Sequence, residues 1–331
     1  MHRFTDLDQV PDDFGPSVVT IGNFDGVHRG HQRVLRRMVT DARIAGHRAV
    51  AVTFDPHPLQ VHRPDTAPPL LTGLTDRLEL LARTGLDAVL VVHYTLEFAR
   101  QTPEQFVRRT FVEGLRAATV VVGRDVRFGH HNSGDLTTMI DLGKEYGFTV
   151  EVIEDASDTV VTEGAGPELG RRWSSTWVRD LLAAGDVAAA AQILGRPHRM
   201  RGVVVHGDAR GRELGFPTAN LGPDAEGLIP ADGVYAGRLV RQPGSTAEKS
   251  YPAAISVGTN PTFDGLLRRV EAYVLDRDDL DLYDEEVVFE FVERLRPTLR
   301  FQSVDELVAQ MTADVDTARR ILAGGARELG S

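Results

Sequence analysis

The stretch Ser17–Met38, SVVTIGNFDGVHRGHQRVLRRM, constrains the fold of this chain more than any other. It opens as a strand, because Val18, Val19 and Ile21 are β-branched and apolar. It breaks at Gly22, passes through Asn23-Phe24-Asp25-Gly26 and reaches His28-Arg29-Gly30-His31. The apolar period then changes from two to about 3.6, with Val34, Leu35, Met38 and Val39 on one helical face. Two histidines therefore sit three residues apart at a glycine-rich strand-to-helix turn. Free N–H groups and the positive end of a helix dipole suit that place to phosphate. Gly30 would let a ligand approach the backbone where a Cβ would obstruct it. A zinc site built from His28, His31 and either His130 or His131 is the weaker alternative, for the chain has no cysteine and no third ligand at a characteristic spacing.

The chain has 331 residues, enough for two domains with a sizeable core. No apolar run approaches the ~18 residues of a membrane span. The opening MHRFTDLDQVPDDFG lacks the apolar centre of a secretory signal. Zero cysteines exclude disulfides, thiolate zinc sites and cysteine nucleophiles. These features predict a cytoplasmic protein that engages no membrane. A net charge of −11 argues against a general nucleic-acid binder. Any polyphosphate would have to be met by local basic groups, backbone N–H groups or a divalent cation.

Strands and helices alternate through the first half. Strands are predicted at 47–54, 88–92, 119–122 and 148–153, and helices at 74–83, 103–115 and 135–146. That order implies a parallel sheet covered on both faces, with ligands beyond the carboxyl ends of its strands. Three loops carry polar groups. Phe54-Asp55-Pro56-His57-Pro58 is stiffened by two prolines. Gly123–Gly134, rich in glycine and charge, reads as a mobile or solvated surface loop. In Arg171–Arg179, Ser175 or Thr176 can cap the helix that follows, while Arg179 lies one turn further on. Hydroxyls, N–H groups and a guanidinium together would clamp a triphosphate. Trp173 and Trp177 have no physical account at this stage.

Residues 185–195 read as a short alanine-rich helix, and Arg196-Pro197-His198 marks the domain boundary. The expected division is 1–186, a linker at 187–198, and 199–331. Beyond the boundary, short strands at 200–206, 233–240, 251–257, 268–275 and 287–295 predict an antiparallel barrel or sandwich, closed by a terminal helix capped by Ser303. His206–Asn220, HGDARGRELGFPTAN, could close over phosphates, and Thr218 and Asn220 offer hard oxygens for magnesium or nucleotide. Glu271 reads as a strand carboxylate facing away from Val270 and Ala272.

GNFDGVHRGHQ resembles the HxGH signature of the nucleotidyltransferases and, in its longer form, the FMN adenylyltransferase module of prokaryotic bifunctional riboflavin kinase/FAD synthetases. The resemblance extends over nearly the whole chain. FDPHP, GRDVRFG and SSTWVR are similar to further segments of that module, although Val126 stands where an aromatic is usual. HGDARGRELGFPTAN, VGTNPTF, RRVEA and DLYDEEV are similar to the riboflavin kinase module, with Asp284 where glycine is usual and His198 where an aromatic often stands. The resemblance implies a Rossmann-like domain and a β-barrel, converting riboflavin to FMN and FMN to FAD with magnesium and ATP. It implies that His28, His31 and Glu271 are catalytic. It sets Gly22, Asn23, Phe24, Gly30, Asp125, Ser175, Thr176 and Arg179 at the ATP of the adenylyl step, and Phe54, Pro56, His57, Pro58 and Phe128 at its flavin. It sets Gly207, Arg212, Gly215, Pro217, Thr218 and Asn220 at the ATP of the kinase, with Thr218 and Asn220 on magnesium. The expected partners are riboflavin, FMN and ATP, in a monomer or weak homo-oligomer. Two rivals are a nucleotidyltransferase with another acceptor, which the kinase-like half opposes, and a non-catalytic flavin-binding regulator, which the intact catalytic residues oppose.

Overall fold

The computed structural model describes residues 1–153, 173–207, 211, 214–262, 265–277 and 279–324. Arg171, Arg172, Arg212 and Phe263, singled out in the sequence, lie outside them. The chain forms two compact units. One comprises Met1–Pro68 and Leu74–Trp173, and the other comprises Pro69–Gly73 and the chain from Ser174 onwards.

The first unit is built on six strands: β1 (His2–Phe4), β2 (Ser17–Ile21), β3 (Arg48–Asp55), β4 (Ala88–His93), β5 (Ala117–Gly123) and β6 (Thr149–Ile153). They pair in parallel in the order β1-β4-β3-β2-β5-β6. Alternate residues feed opposite faces. Val19, Val50, Val52, Val120 and Val122 join one core cluster with Phe106, Phe111 and Met139. Val18, Ala49, Ala51, Val89 and Val121 join the other with Leu35, Met38 and Val39 of α1 (Arg29–Ala45) and Leu78 and Leu81 of α3 (Leu74–Ala82). A short α2 (Pro58–His62) lies between those helices in sequence. The helix predicted over 103–115 begins as α4 (Pro103–Phe106) and continues as a π-helical stretch, Val107–Gly114. Asp135 caps α5 (Leu136–Tyr146), and bonds from the Thr138 N–H and hydroxyl hold its carboxyl below the usual range.

In the second unit α6 (Ser175–Ala184) and α7 (Val187–Leu194) precede the strands β7 (His198–Val205), β8 (Thr218–Leu221), β9 (Gly233–Arg241), β10 (Lys249–Thr262), β11 (Gly265–Val274) and β12 (Glu286–Arg296). These close an antiparallel barrel in the order β10-β11-β8-β7-β12-β9. Burial alternates along β10, where Ala253, Ile255 and Val257 are buried and Ser256 is exposed. It is continuous from Val287 to Phe291 on β12, because α7 and the terminal α8 (Val304–Gly324) also pack against that strand. Ser303 accepts the Glu306 N–H at 3.2 Å, starting α8 where expected. Three bonds, from Arg296 Nε to both carboxylate oxygens of the buried Asp314 and from Nη2 to Oδ2, fasten it to β12. His198 fills an aromatic slot, stacked on Phe291 at 5.9 Å with Nε2 2.6 Å from Leu228 O. Asp284 has φ 61°, a left-handed conformation that explains why glycine suits this position.

The residues at 187–198 thus include a helix that buries Val187, Ala190, Ile193 and Leu194. Fully burying such an aliphatic side chain contributes about 1.5–3 kcal/mol. A fragment starting at Ser174 should therefore melt several degrees above one starting at Arg199 when followed by circular dichroism. Equal melting temperatures would mean that α7 contributes nothing to the barrel.

Candidate active sites

Strand order in the first unit reverses at β2, whose neighbours are β3 and β5. Loops leaving these strands diverge and open a crevice at their carboxyl ends. A cavity of about 510 Å³ lies there, lined among others by Asn23, Phe54, Tyr94, Asp125 and Phe128. Gly22, His57, Pro58 and Val126 also line it, so the structure brings the three motif loops of this unit together. Phe54, Tyr94 and Phe98 form an aromatic wall, with ring centroids 5.5 Å apart for Phe54–Tyr94 and for Tyr94–Phe98. Tyr94, Phe98 and Phe106 were missed in the sequence, although Tyr94 directly follows β4 and so stands at a strand's carboxyl end. Burial pushes the Tyr94 phenol above its ordinary value, and its hydroxyl lies 2.9 Å from His62 Nε2.

The loop from Gly22 to His28 is strained. Phe24 has φ 49° and Val27 φ 38°, the latter a β-branched residue in the left-handed region. His28 is buried and caps α1, its Nδ1 accepting the His31 N–H at 3.4 Å. With Nδ1 an acceptor, a neutral His28 ring carries its proton on Nε2. The His31 ring stacks on His28 at 3.7 Å, and Phe24 packs edge-on against His31 at 5.4 Å. Phe24 is thus a buried support for the histidine pair. Gly30 also has a local reason: a Cβ there would stand 3.1 Å from the His28 ring. Trp173 is the next neighbour, its Cβ 3.9 Å away.

The loop after β3 holds its histidine as a cap too. His57 Nδ1 accepts the Leu59 N–H at 3.1 Å, and the His57 N–H in turn donates to Gln60 Oε1 at 3.1 Å. Phe128 is buried, and its strand-like bridge to Gly134 closes the loop after β5.

In the second unit Ser174, not Ser175 or Thr176, caps α6, accepting the Trp177 N–H at 3.2 Å. A cap must sit just outside the helix, and here the helix begins one residue earlier than the apolar pattern suggests. Ser175 and Thr176 fall in its first turn. Arg179 donates from Nε to Pro69 O at 2.9 Å, a carbonyl of the Pro69–Gly73 excursion.

On the barrel, β8 pairs with β11 so that Asn220 faces Glu271 and Thr218 faces Tyr273. Val270 and Ala272 are buried while Glu271 is half-buried, as alternation requires. Thr218 donates its hydroxyl to Glu271 Oε2 at 3.3 Å, and Asn220 Nδ2 donates to Thr218 O at 3.3 Å. Gly207 is needed for close approach, for a Cβ would fall 2.5 Å from the Asn220 amide. Gly215 has φ 86°. A cavity of about 430 Å³ opens beside this group, lined by Pro217, Thr218, Ala272, Leu282 and Tyr283 among others. Tyr283, which stacks on His206 at 3.9 Å, was not picked out in the sequence. Among the described residues no group of three or more His, Cys, Asp or Glu side chains could hold a metal ion. The oxygens of Thr218, Asn220 and Glu271 nevertheless suit a hard cation that brings most of its ligands on phosphates and water.

Comparison with known proteins matches each unit. A FAD synthetase family model covers residues 10–162 and a riboflavin kinase family model residues 194–322. The bifunctional riboflavin kinase/FMN adenylyltransferase of Escherichia coli K12 is 39% identical over 302 residues, covering 91% of either chain. That of Listeria monocytogenes EGD-e is 35% identical over 308 residues, covering 92% of either chain. A crystal structure described as a macrolide-efflux protein from Streptococcus pneumoniae superposes with a TM-score of 0.80 at 31% identity, covering 96% of this chain and 98% of that one. In the present chain no helix among the described residues is long and apolar enough to cross a membrane. Two family models in order along one chain, matched by relatives that carry both, make this protein a member of the bifunctional riboflavin kinase/FMN adenylyltransferase family, which converts riboflavin to FMN and FMN to FAD with ATP.

Proposed function

We propose that the second unit, with the barrel of residues 199–331, phosphorylates riboflavin and that the first unit, within residues 1–186, adenylylates FMN. The observation that carries the reading is the place of Thr218. Thr218 lines the 430 Å³ cavity, and its hydroxyl donates to Glu271 Oε2 at 3.3 Å. ATP would enter the cavity, and Pro217, Thr218, Asn220, Gly207, Gly215 and Arg212 would hold it. Glu271 would accept the proton of the riboflavin 5′-hydroxyl as its oxygen forms the bond to the γ-phosphorus and ADP leaves. Thr218 Oγ1 and Asn220 Oδ1 would hold magnesium, which supplies charge neutralisation at the phosphates when bound.

In the adenylyl step an FMN phosphate oxygen attacks the ATP α-phosphorus and pyrophosphate leaves. His28 and His31 would donate to the phosphates, and their mutual stacking with Phe24 behind fixes both rings before substrate arrives. Gly22, Asn23, Gly30 and Asp125 would border the nucleotide. The aromatic cavity bordered by Phe54, His57, Pro58 and Phe128, with Pro56 in the same loop, suits an isoalloxazine ring. The same reading takes the enzyme to be a cytoplasmic monomer or weak homo-oligomer acting on small molecules.

Replacing His28 and His31 together by alanine should lower FAD formation by at least ~10²-fold, the usual cost of losing one such donor, and leave FMN formation near parental. An equal fall in both products would show that this turn does not serve the adenylyl step alone. Glu271→Gln keeps size and removes the proton acceptor. Its kinase kcat should fall ~10²–10⁴-fold with little change in KM for riboflavin. A parental kinase rate in that variant would reduce Glu271 to a structural partner of Thr218.

A further inference from the structure

Arg77 stands on α3 and is fully buried, at 0% exposure. The chemistry above makes no use of it. Removing a guanidinium from water is costly unless its N–H groups find acceptors. Nη1 donates to Asn23 O at 3.2 Å and Nη2 to Phe54 O at 3.1 Å, with an Asp55 carboxylate oxygen 3.5 Å from Nη2. The two carbonyls belong to different walls of one cavity. Asn23 lies in the loop after β2 and Phe54 near the end of β3, and both residues line the 510 Å³ space. The Asn23 carbonyl accepts a second bond, from the hydroxyl of the fully buried Thr53 at 3.2 Å. Helix α3 itself is anchored, since Leu78 and Leu81 share a core cluster with Leu35 and Met38 of α1. One planar group on a fixed helix therefore joins the loop that leads to the histidine pair to the loop that carries Phe54, Pro56 and His57.

We propose that Arg77 is a positioning residue for adenylyl transfer, setting the distance between the nucleotide wall and the flavin wall of this cavity. The inference rests on the reading of that cavity as the adenylyl site. Only a fork can serve both carbonyls at once, because a lysine ammonium is a compact point donor without the planar geometry. Displacement of a reacting group by about 1 Å can cost about 10²-fold in rate.

The test uses the full chain and compares Arg77→Lys, Thr53→Val and His28→Ala, with the riboflavin kinase activity of each variant as an internal control and thermal melting as a fold control. Arg77→Lys should lower kcat/KM for FMN adenylylation by about 10²-fold, with a raised KM for FMN, at temperatures where the variant is fully folded. Kinase activity should be unchanged. Thr53→Val, which removes one of two donors on Asn23 O, should raise the same KM by a smaller factor. A lower melting temperature with unaltered FMN kinetics would make Arg77 a purely structural residue and overturn the proposal. If Arg77→Lys does not fold, Thr53→Val decides: a raised FMN KM upholds the clamp and a parental one overturns it. If His28→Ala retains parental FAD synthesis, the cavity assignment itself fails, an outcome separate from failure of the clamp.

Discussion

The first unit depends on burial of both faces of one parallel sheet. Each central strand must supply apolar residues in both directions, and Val18 with Val19, or Ala51 with Val52, does so. Helices then have to cover both sides, and the crossovers of opposite sense begin at β2. The loops after β2 and β5 part for that reason alone. The crevice is a consequence of the packing, and polar and aromatic residues border it where each strand ends: Asn23 after β2, His57 after β3, Tyr94 after β4 and Asp125 after β5.

The barrel solves a different problem. A closed sheet leaves no edge strand exposed, and its alternation sends Val270 and Ala272 one way and Glu271 the other. Thr218 is the residue that communicates between the two sides, lining the cavity while its hydroxyl reaches Glu271. A carboxylate that accepts a hydrogen bond from a cavity-lining threonine could take the proton of an alcohol in a phosphoryl transfer. Under the proposed function the two chemistries would have separate physical origins: strained loops at a switch point, and register across one pair of barrel strands.

Most of the fold was legible because its signals are local. The change of period at Gly22–Gly30, the β-branched run Thr119–Val122 and the alternation around Glu271 each specify an element without reference to distant residues. What escaped was set by tertiary context. The strand His2–Phe4 is three residues long and gains its identity only from pairing with β4. His57 is an uncommon helix cap, so α2 carried no usual start signal. Ser174 outcompetes Ser175 and Thr176 as cap because the helix begins at 175. Arg77 reads as an ordinary charge on an amphipathic helix until the two carbonyls it joins are seen. The motif histidines were visible, but the stacking that fixes them and the role of Phe24 behind them were not.

The central claim is that the aromatic cavity at the carboxyl ends of β2 to β5 holds the flavin of the adenylyl step. A crystal structure of the full chain with FMN and a non-hydrolysable ATP analogue tests it most directly. The account predicts an isoalloxazine ring in contact with Phe54, Tyr94 and Phe98, and a phosphate directed towards His28 and His31. Flavin found at saturation only in the barrel, with this cavity empty, would contradict it.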